Sequence, residues 1–184
     1  MTKKLLVSVI GLLVFGISAC ASAKLTAPEK LPNSASLKRG MTENEFMQAY
    51  KIAAKLMSPY AGLSLEKKLE SVTKGLYQYM RASKVGYSDT APHYNDVYGF
   101  FVNHVSSCAG ATRAVGLCLN ILGIPYTHVN ENEWSHQWCR VKVGRNTWAC
   151  DIYMPRYGQE GKDQYWAVTT SSGVEWKLAK SRIF

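Results

Sequence analysis

The chain has 184 residues, 47% of them hydrophobic and 19% charged, with a formal net charge of +9. That length carries one domain with a core of its own, and the composition excludes a disordered or fibrous polypeptide. The basic residues are scattered, and no Lys/Arg block interleaved with aromatics marks a nucleic-acid surface, so the excess charge suits an anionic envelope polymer, lipid head groups or a plain solvated surface.

Lys3 and Lys4 precede an apolar run from Leu5 to Ile17, and small residues follow through Ala23. This is the order of a secretory leader, and the apolar run is short for a membrane span. Two cleavage sites are written in it. Ile17-Ser18-Ala19-Cys20 resembles a bacterial lipobox, in which Cys20 would carry the lipid and anchor the mature protein to the membrane. Ala21-Ser22-Ala23 would serve ordinary signal peptidase and give a secreted or periplasmic protein. The lipobox is preferred, because a Cys at the end of such a run is uncommon. Residues 1–23 are therefore read as the leader. Residues 24–40, which hold Pro28, Pro32 and Asn33 but no apolar period, are read as a flexible tether, and 41–184 as a single domain.

Thr42 with Glu45 three residues on forms a capping-box pattern, and Phe46, Ala49, Tyr50, Ala53 and Ala54 continue it at helical spacing as far as Ser58-Pro59. A second helix is predicted from Ser64 to about Arg81, its buried stripe marked by Leu65, Leu69, Val72, Leu76 and Tyr79. The stretch from Ser83 to Val105 has no clean period and reads as a long connection able to line a site. A third helix is predicted from Cys108 to Leu122, closed by Gly123 and Pro125. Strands are expected at Tyr126–Asn130, His136–Val143 and Thr147–Tyr153, with weaker candidates at Tyr165–Thr169 and Val174–Leu178. Helices come first and an antiparallel sheet last, which makes the class α+β.

Cys108 opens a helix behind Ser106-Ser107 and ahead of Ala109-Gly110-Ala111. A helix N-terminus stabilises a thiolate and can receive an oxyanion on its free N–H groups. Position alone does not separate this role from that of a buried structural thiol. His136 and Asp151 separate them. A thiol nucleophile needs a base, and the base needs a third group to orient it. If Gly144-Arg145 is a two-residue turn with Gly144 at its first position, Val143 pairs with Asn146, Trp138 with Asp151 and His136 with Tyr153. His136 and Asp151 then lie diagonally on one sheet face, about 7–8 Å apart at Cα, where side chains meet. A slip of one residue would part them.

Ser107-Cys108-Ala109-Gly110, Leu122-Gly123-Ile124-Pro125, His136-Gln137-Trp138 and Trp148-Ala149-Cys150-Asp151 resemble, in order and spacing, the transglutaminase-like superfamily. The resemblance covers roughly residues 65–154. It implies a papain-like core in which the nucleophile-bearing helix packs on the antiparallel sheet, with Cys108 as nucleophile, His136 as base and later acid, and Asp151 as the orienting group. For a small bacterial member it implies acyl transfer on an amide or peptide, hydrolysis before transamidation, with an envelope protein or peptidoglycan peptide as substrate and no cofactor. The chain departs from the family at Ser106, where Gly is common two residues before the nucleophile, and at Cys139, where Asn often follows the His-x-Trp tripeptide. Neither position supplies a triad atom.

The same register sets Cys139 opposite Cys150, on the face away from the triad, where an exported protein is expected to form a disulfide. Trp134 and Trp138 flank His136 and are candidate substrate-binding residues, with core packing the alternative use of each. His93 and His104 precede Cys108 and could border the cleft or simply be satisfied loop histidines. No CxxC or HxxxH spacing suggests zinc. The rival readings are an NlpC/P60-like peptidoglycan hydrolase, against which Asp151 argues, and a binding domain that keeps the fold without catalysis.

Overall fold

The computed structural model describes residues 24–179. The expected leader and both of its cleavage sites, Cys20 included, lie outside the described residues. Helix α1 (Ser34–Leu37) follows a short 3-10 turn at Pro28–Lys30, and α2 (Glu43–Met57) and α3 (Leu65–Ala82) come next. Thr42 caps α2 as its sequence predicts: its side chain accepts from the Glu45 N–H, and the Glu45 carboxylate accepts from the Thr42 N–H at 2.8 Å. The connection that follows holds two short parallel strands, β1 (Gly86–Tyr87) and β2 (Val105–Ser106), and a single π-helical turn at Gly99–Asn103.

Helix α4 (Cys108–Ile121) is the centre of the core, with every residue from Gly110 to Ile121 buried. Its small residues let neighbours come close. A Cβ on Gly116 would stand 2.2 Å from the Tyr126 hydroxyl, so only glycine admits that ring. Gly123 ends the helix at φ +72°, its N–H reaching Asn120 O and that of Ile124 reaching Leu119 O, the two hydrogen bonds of a Schellman closure. Leu69, Leu76, Phe46 and Met57 from the preceding helices pack around it, fully buried. Each such side chain contributes about 1.5–3 kcal/mol by leaving water.

Six strands follow in meander order: β3 (Thr127–Val129), β4 (Trp138–Val143), β5 (Asn146–Asp151), β6 (Arg156–Gln159), β7 (Gln164–Thr170) and β8 (Gly173–Ala179). Each pairs antiparallel with the next, and helices on one side of this sheet make the class α+β. The β4–β5 register is the one the turn dictates, with Val143 opposite Asn146 and Cys139 opposite Cys150. Gly144 has φ +59° and Arg145 is not among the positive-φ residues, as a type II′ turn requires.

Two expectations need correction. Residues 24–40 are not a free tether over the described span. Leu31 and Leu37 are buried, the Thr26 N–H donates to Ile121 O, and the Asn120 side chain donates to Pro32 O. The segment straps the end of α4 with single apolar anchors, which is why it shows no period. Cys139 and Cys150, expected to be bonded, are free thiols. Counting outward from the turn, theirs is a hydrogen-bonded pair, with Cβ atoms about 5.5 Å apart, whereas a disulfide needs about 3.5–4.5 Å. Each thiol turns to a helix instead, Cys139 to Thr112 O at 3.3 Å and Cys150 to the Thr73 hydroxyl. Burial pushes the Cys150 thiol up to about 12, and that of Cys139 well above its ordinary range.

Candidate active site

The polypeptide reaches Cys108 through β2, whose partner β1 carries Tyr87. Ser107 is extended at the helix N-cap and gives its N–H to Tyr94 O at 2.7 Å, so residues 93–95 lie against the first turn of α4. Gly110 makes room for them: a Cβ there would come within 2.6 Å of Tyr94 O and of the Ser106 hydroxyl. The helix axis thereby points its free N–H groups past Cys108 into a cleft of about 610 Å³.

Cys108 is half-buried and lines that cleft together with Ser107, Ala109, Tyr87, Trp134 and His136. Among the described residues its sulfur makes one hydrogen-bond contact, 3.9 Å to the carbonyl of Ser135, the residue before His136. The imidazole of His136 is the better anchored partner. Its Nε2 lies 2.6 Å from Asp151 Oδ2, which leaves Nδ1 as the nitrogen free for other work. Asp151 ends β5 and is 2% exposed; its other oxygen accepts the N–H groups of Tyr153 and Met154, each at 3.0 Å. The carboxylate therefore cannot rotate without breaking three hydrogen bonds. Asn130 at φ +57° steadies the loop before β4 by donating to His136 O at 2.9 Å.

The sequence-derived candidates separate here. Cys108 and His136 share one cleft, and Asp151 holds the imidazole from behind. Trp134 is 92% exposed on the cleft rim. Trp138, taken as a substrate-binding candidate, is not among the residues lining the cleft. Its indole instead lies near-parallel to the imidazole, 15° between planes with centroids 6.1 Å apart, and its Nε1 donates to Glu160 at 2.9 Å. It sits two residues along the chain from His136, so alternation on the strand puts it on the same side, behind the ring. His93 and His104 do not line the cleft either. His93 pairs with Asp96 at 2.8 Å, and His104 sits beside Tyr79.

Sequence reasoning passed over several residues of the site. Tyr87, 65% exposed, faces the cleft from β1, and Asp89 first, then burial and Cys108, raise its phenol. Arg113 is buried along α4; its guanidinium folds back to Ala109 O and reaches Glu131 at 3.5 Å. Burial, and after it the neighbouring Arg39, lower its proton affinity. Arg156 lies 3.5 Å from Asp151 Oδ2. A capable sequence signal existed only for Arg113, a charge in the middle of an otherwise apolar helix. Among the described residues no group of three or more His, Cys, Asp or Glu is placed to hold a metal ion, and no helix is long and apolar enough to cross a membrane.

No protein-family model matches the chain, and no curated protein matches it significantly.

Proposed function

We propose that the protein is a cysteine enzyme of transglutaminase-like type, built on a papain-like core, that performs acyl transfer on amide or peptide bonds. The observation that carries the reading is the 2.6 Å hydrogen bond that the buried Asp151 carboxylate accepts from His136 Nε2, with the other edge of that ring turned to the cleft that holds Cys108. An imidazole fixed in this tautomer can take the thiol proton on Nδ1. The thiolate then attacks the carbonyl, and the helix N–H groups stabilise the oxyanion. The proton on Nδ1 passes to the departing nitrogen, leaving a thioester. Water, activated by the same imidazole, hydrolyses it, and an amine in its place would give transamidation. Hydrolysis is preferred, with an exported polypeptide or peptidoglycan peptide as substrate and a lipid on Cys20 holding the enzyme at the membrane. The chemistry calls for no cofactor.

A binding domain is the second reading, favoured by the contact of the thiol with Ser135 O in place of the imidazole. Free-enzyme geometry of this kind often tightens only with substrate bound. Labelling with iodoacetamide at pH 6 tests the choice. Cys108 should react at least about tenfold faster than free cysteine, as an activated thiolate does, and Cys108→Ala should remove that labelling. Reaction at the rate of free cysteine would leave the binding domain standing.

A further inference from the structure

Arg156 opens β6 directly opposite Asp151 and, on its other side, opposite Trp166 of β7. Its guanidinium lies over two indoles, 5.5 Å from the Trp138 ring and 5.4 Å from that of Trp166. Nη1 donates to the buried Gln164 side chain at 3.4 Å. Nε stands 3.5 Å from Asp151 Oδ2, yet the geometry is not that of a hydrogen bond, and this buried N–H has no other partner among the described residues. Leaving a buried donor unmade is costly, so packing alone is a poor account of the position. The oxygen it approaches is the one already bound to His136.

We propose that Arg156 is a positioning residue that sets the acid–base balance of the His136–Asp151 pair, an inference that rests on the acyl-transfer reading. One carboxylate oxygen serves two cations whenever the imidazole is charged. The guanidinium opposes that second charge, as any like charge within a few ångströms does. Asp151 by itself would hold the imidazolium firmly; with Arg156 beside it, the ring holds its proton less tightly and can pass it from the thiol to the leaving nitrogen. The two indoles fix the guanidinium at this distance. The other titratable groups around the pair are Cys108, Tyr87 and Tyr153 on the cleft side, the Cys139 and Cys150 thiols beside Asp151, and the Arg140–Glu160 ion pair at the Trp138 indole. That ion pair is neutral as a unit, which leaves Arg156 as the cation facing the carboxylate among the described residues.

The test is the pH profile of Cys108 alkylation by iodoacetamide, an uncharged reagent, in the full chain. The wild-type profile should show a rise on the acid side and an upper inflection where the imidazolium loses its proton. In Arg156→Met and Arg156→Gln that upper inflection should move to higher pH by about half a unit or more, a threefold gain in proton affinity, while Arg156→Lys stays within about 0.2 unit of wild type. The Gln variant keeps a polar partner for Gln164 and carries the experiment if the Met variant does not fold. An upper inflection unmoved in the neutral variants, with only melting temperature lowered, overturns the proposal and leaves the acyl-transfer reading intact. A wild-type profile with the single rise of an ordinary thiol overturns both.

Discussion

Asp151→Asn separates what the carboxylate does for folding from what it does for the imidazole. An asparagine fits the site with its carbonyl oxygen in place of Oδ1, still accepting the Tyr153 and Met154 N–H groups at 3.0 Å. Its amide nitrogen then replaces Oδ2 and donates toward His136 Nε2. The three hydrogen bonds survive but lose their charge, which costs about 1–3 kcal/mol in stability when charge-assisted bonds become neutral. The consequence for chemistry is larger. An imidazole that accepts at Nε2 must carry its hydrogen on Nδ1, the nitrogen that the proposed mechanism assigns to the thiol, and it can no longer take a proton there. Cys108 should then behave as an ordinary thiol, of which about one in three hundred is ionised at pH 6. The higher intrinsic nucleophilicity of such a thiolate offsets part of that loss, so the rate of alkylation at pH 6 should fall by about tenfold to a hundredfold. Urea unfolding measures the first effect and iodoacetamide labelling the second. A variant that is destabilised yet labelled at the wild-type rate would refute the assignment of Asp151 as the orienting group.

Leu37 is fully buried in the strap of residues 24–40, so Leu37→Ala should cost about 2–5 kcal/mol in urea unfolding; a loss under about 1 kcal/mol would restore the tether. An excess of dithiothreitol should leave the melting temperature unchanged, because Cys139 and Cys150 are free, and a fall on reduction would show that they bond after all. Gly116→Ala should destabilise by about 1–3 kcal/mol through collision with the Tyr126 ring, and a neutral result would mean that the ring can retreat. Burial first lowers the proton affinity of His128, whose ring meets Gln137 at 2.8 Å. The unfolded imidazole titrates at about 6.5, so between that pH and the lower folded value the unfolded chain binds more protons and stability falls as pH drops. The stability advantage of wild type over His128→Gln should therefore shrink from pH 7 to pH 5 in urea unfolding, and an advantage that is constant or grows would contradict the burial argument.

Much of the fold was legible where one local rule had no competitor. Thr42 and Glu45 can satisfy each other only at a helix start, and Gly123 before Pro125 can only end one. Gly144 specified the β4–β5 register, and with it the meeting of His136 and Asp151. The parts that stayed hidden have physical reasons. Leu25, Leu31 and Leu37 are six residues apart, too sparse to mark a helix or a strand, and each packs as a separate anchor on a core made by other elements. Strand β6 contains Arg156, Tyr157, Gly158 and Gln159, with no β-branched residue, and Gly158 stands at φ +128°. Its place comes from pairing with β5 and β7. Without that strand Arg156 had no visible neighbour, so its approach to Asp151 was out of reach of the sequence. Strands β1 and β2 are two residues each and carry no period to read. Opposition across a hairpin does not suffice for a disulfide between Cys139 and Cys150, because the alternation of hydrogen-bonded and open pairs decides whether two sulfurs can meet.

That alternation also explains how the site and the core share one hairpin. On β4, Cys139 and Val141 turn inward and are buried, while Trp138 and Arg140 turn to the side where Glu160 receives both. On β5, Cys150 faces the helices and Asp151, next along the chain, faces the imidazole. One parity therefore does two jobs: it fills the space under α4 and sets the Asp151 carboxylate behind the His136 ring. A slip of β5 by a single residue would carry Asp151 into the apolar layer and the Cys150 thiol out of it, an exchange that the buried charge alone makes prohibitive. The geometry at the cleft is thus protected by the packing energy of the core, although Cys108, His136 and Asp151 themselves contribute little to that packing. The turn that fixes the register lies at the opposite end of the hairpin from His136, where it is free to be optimised for folding without touching the chemistry.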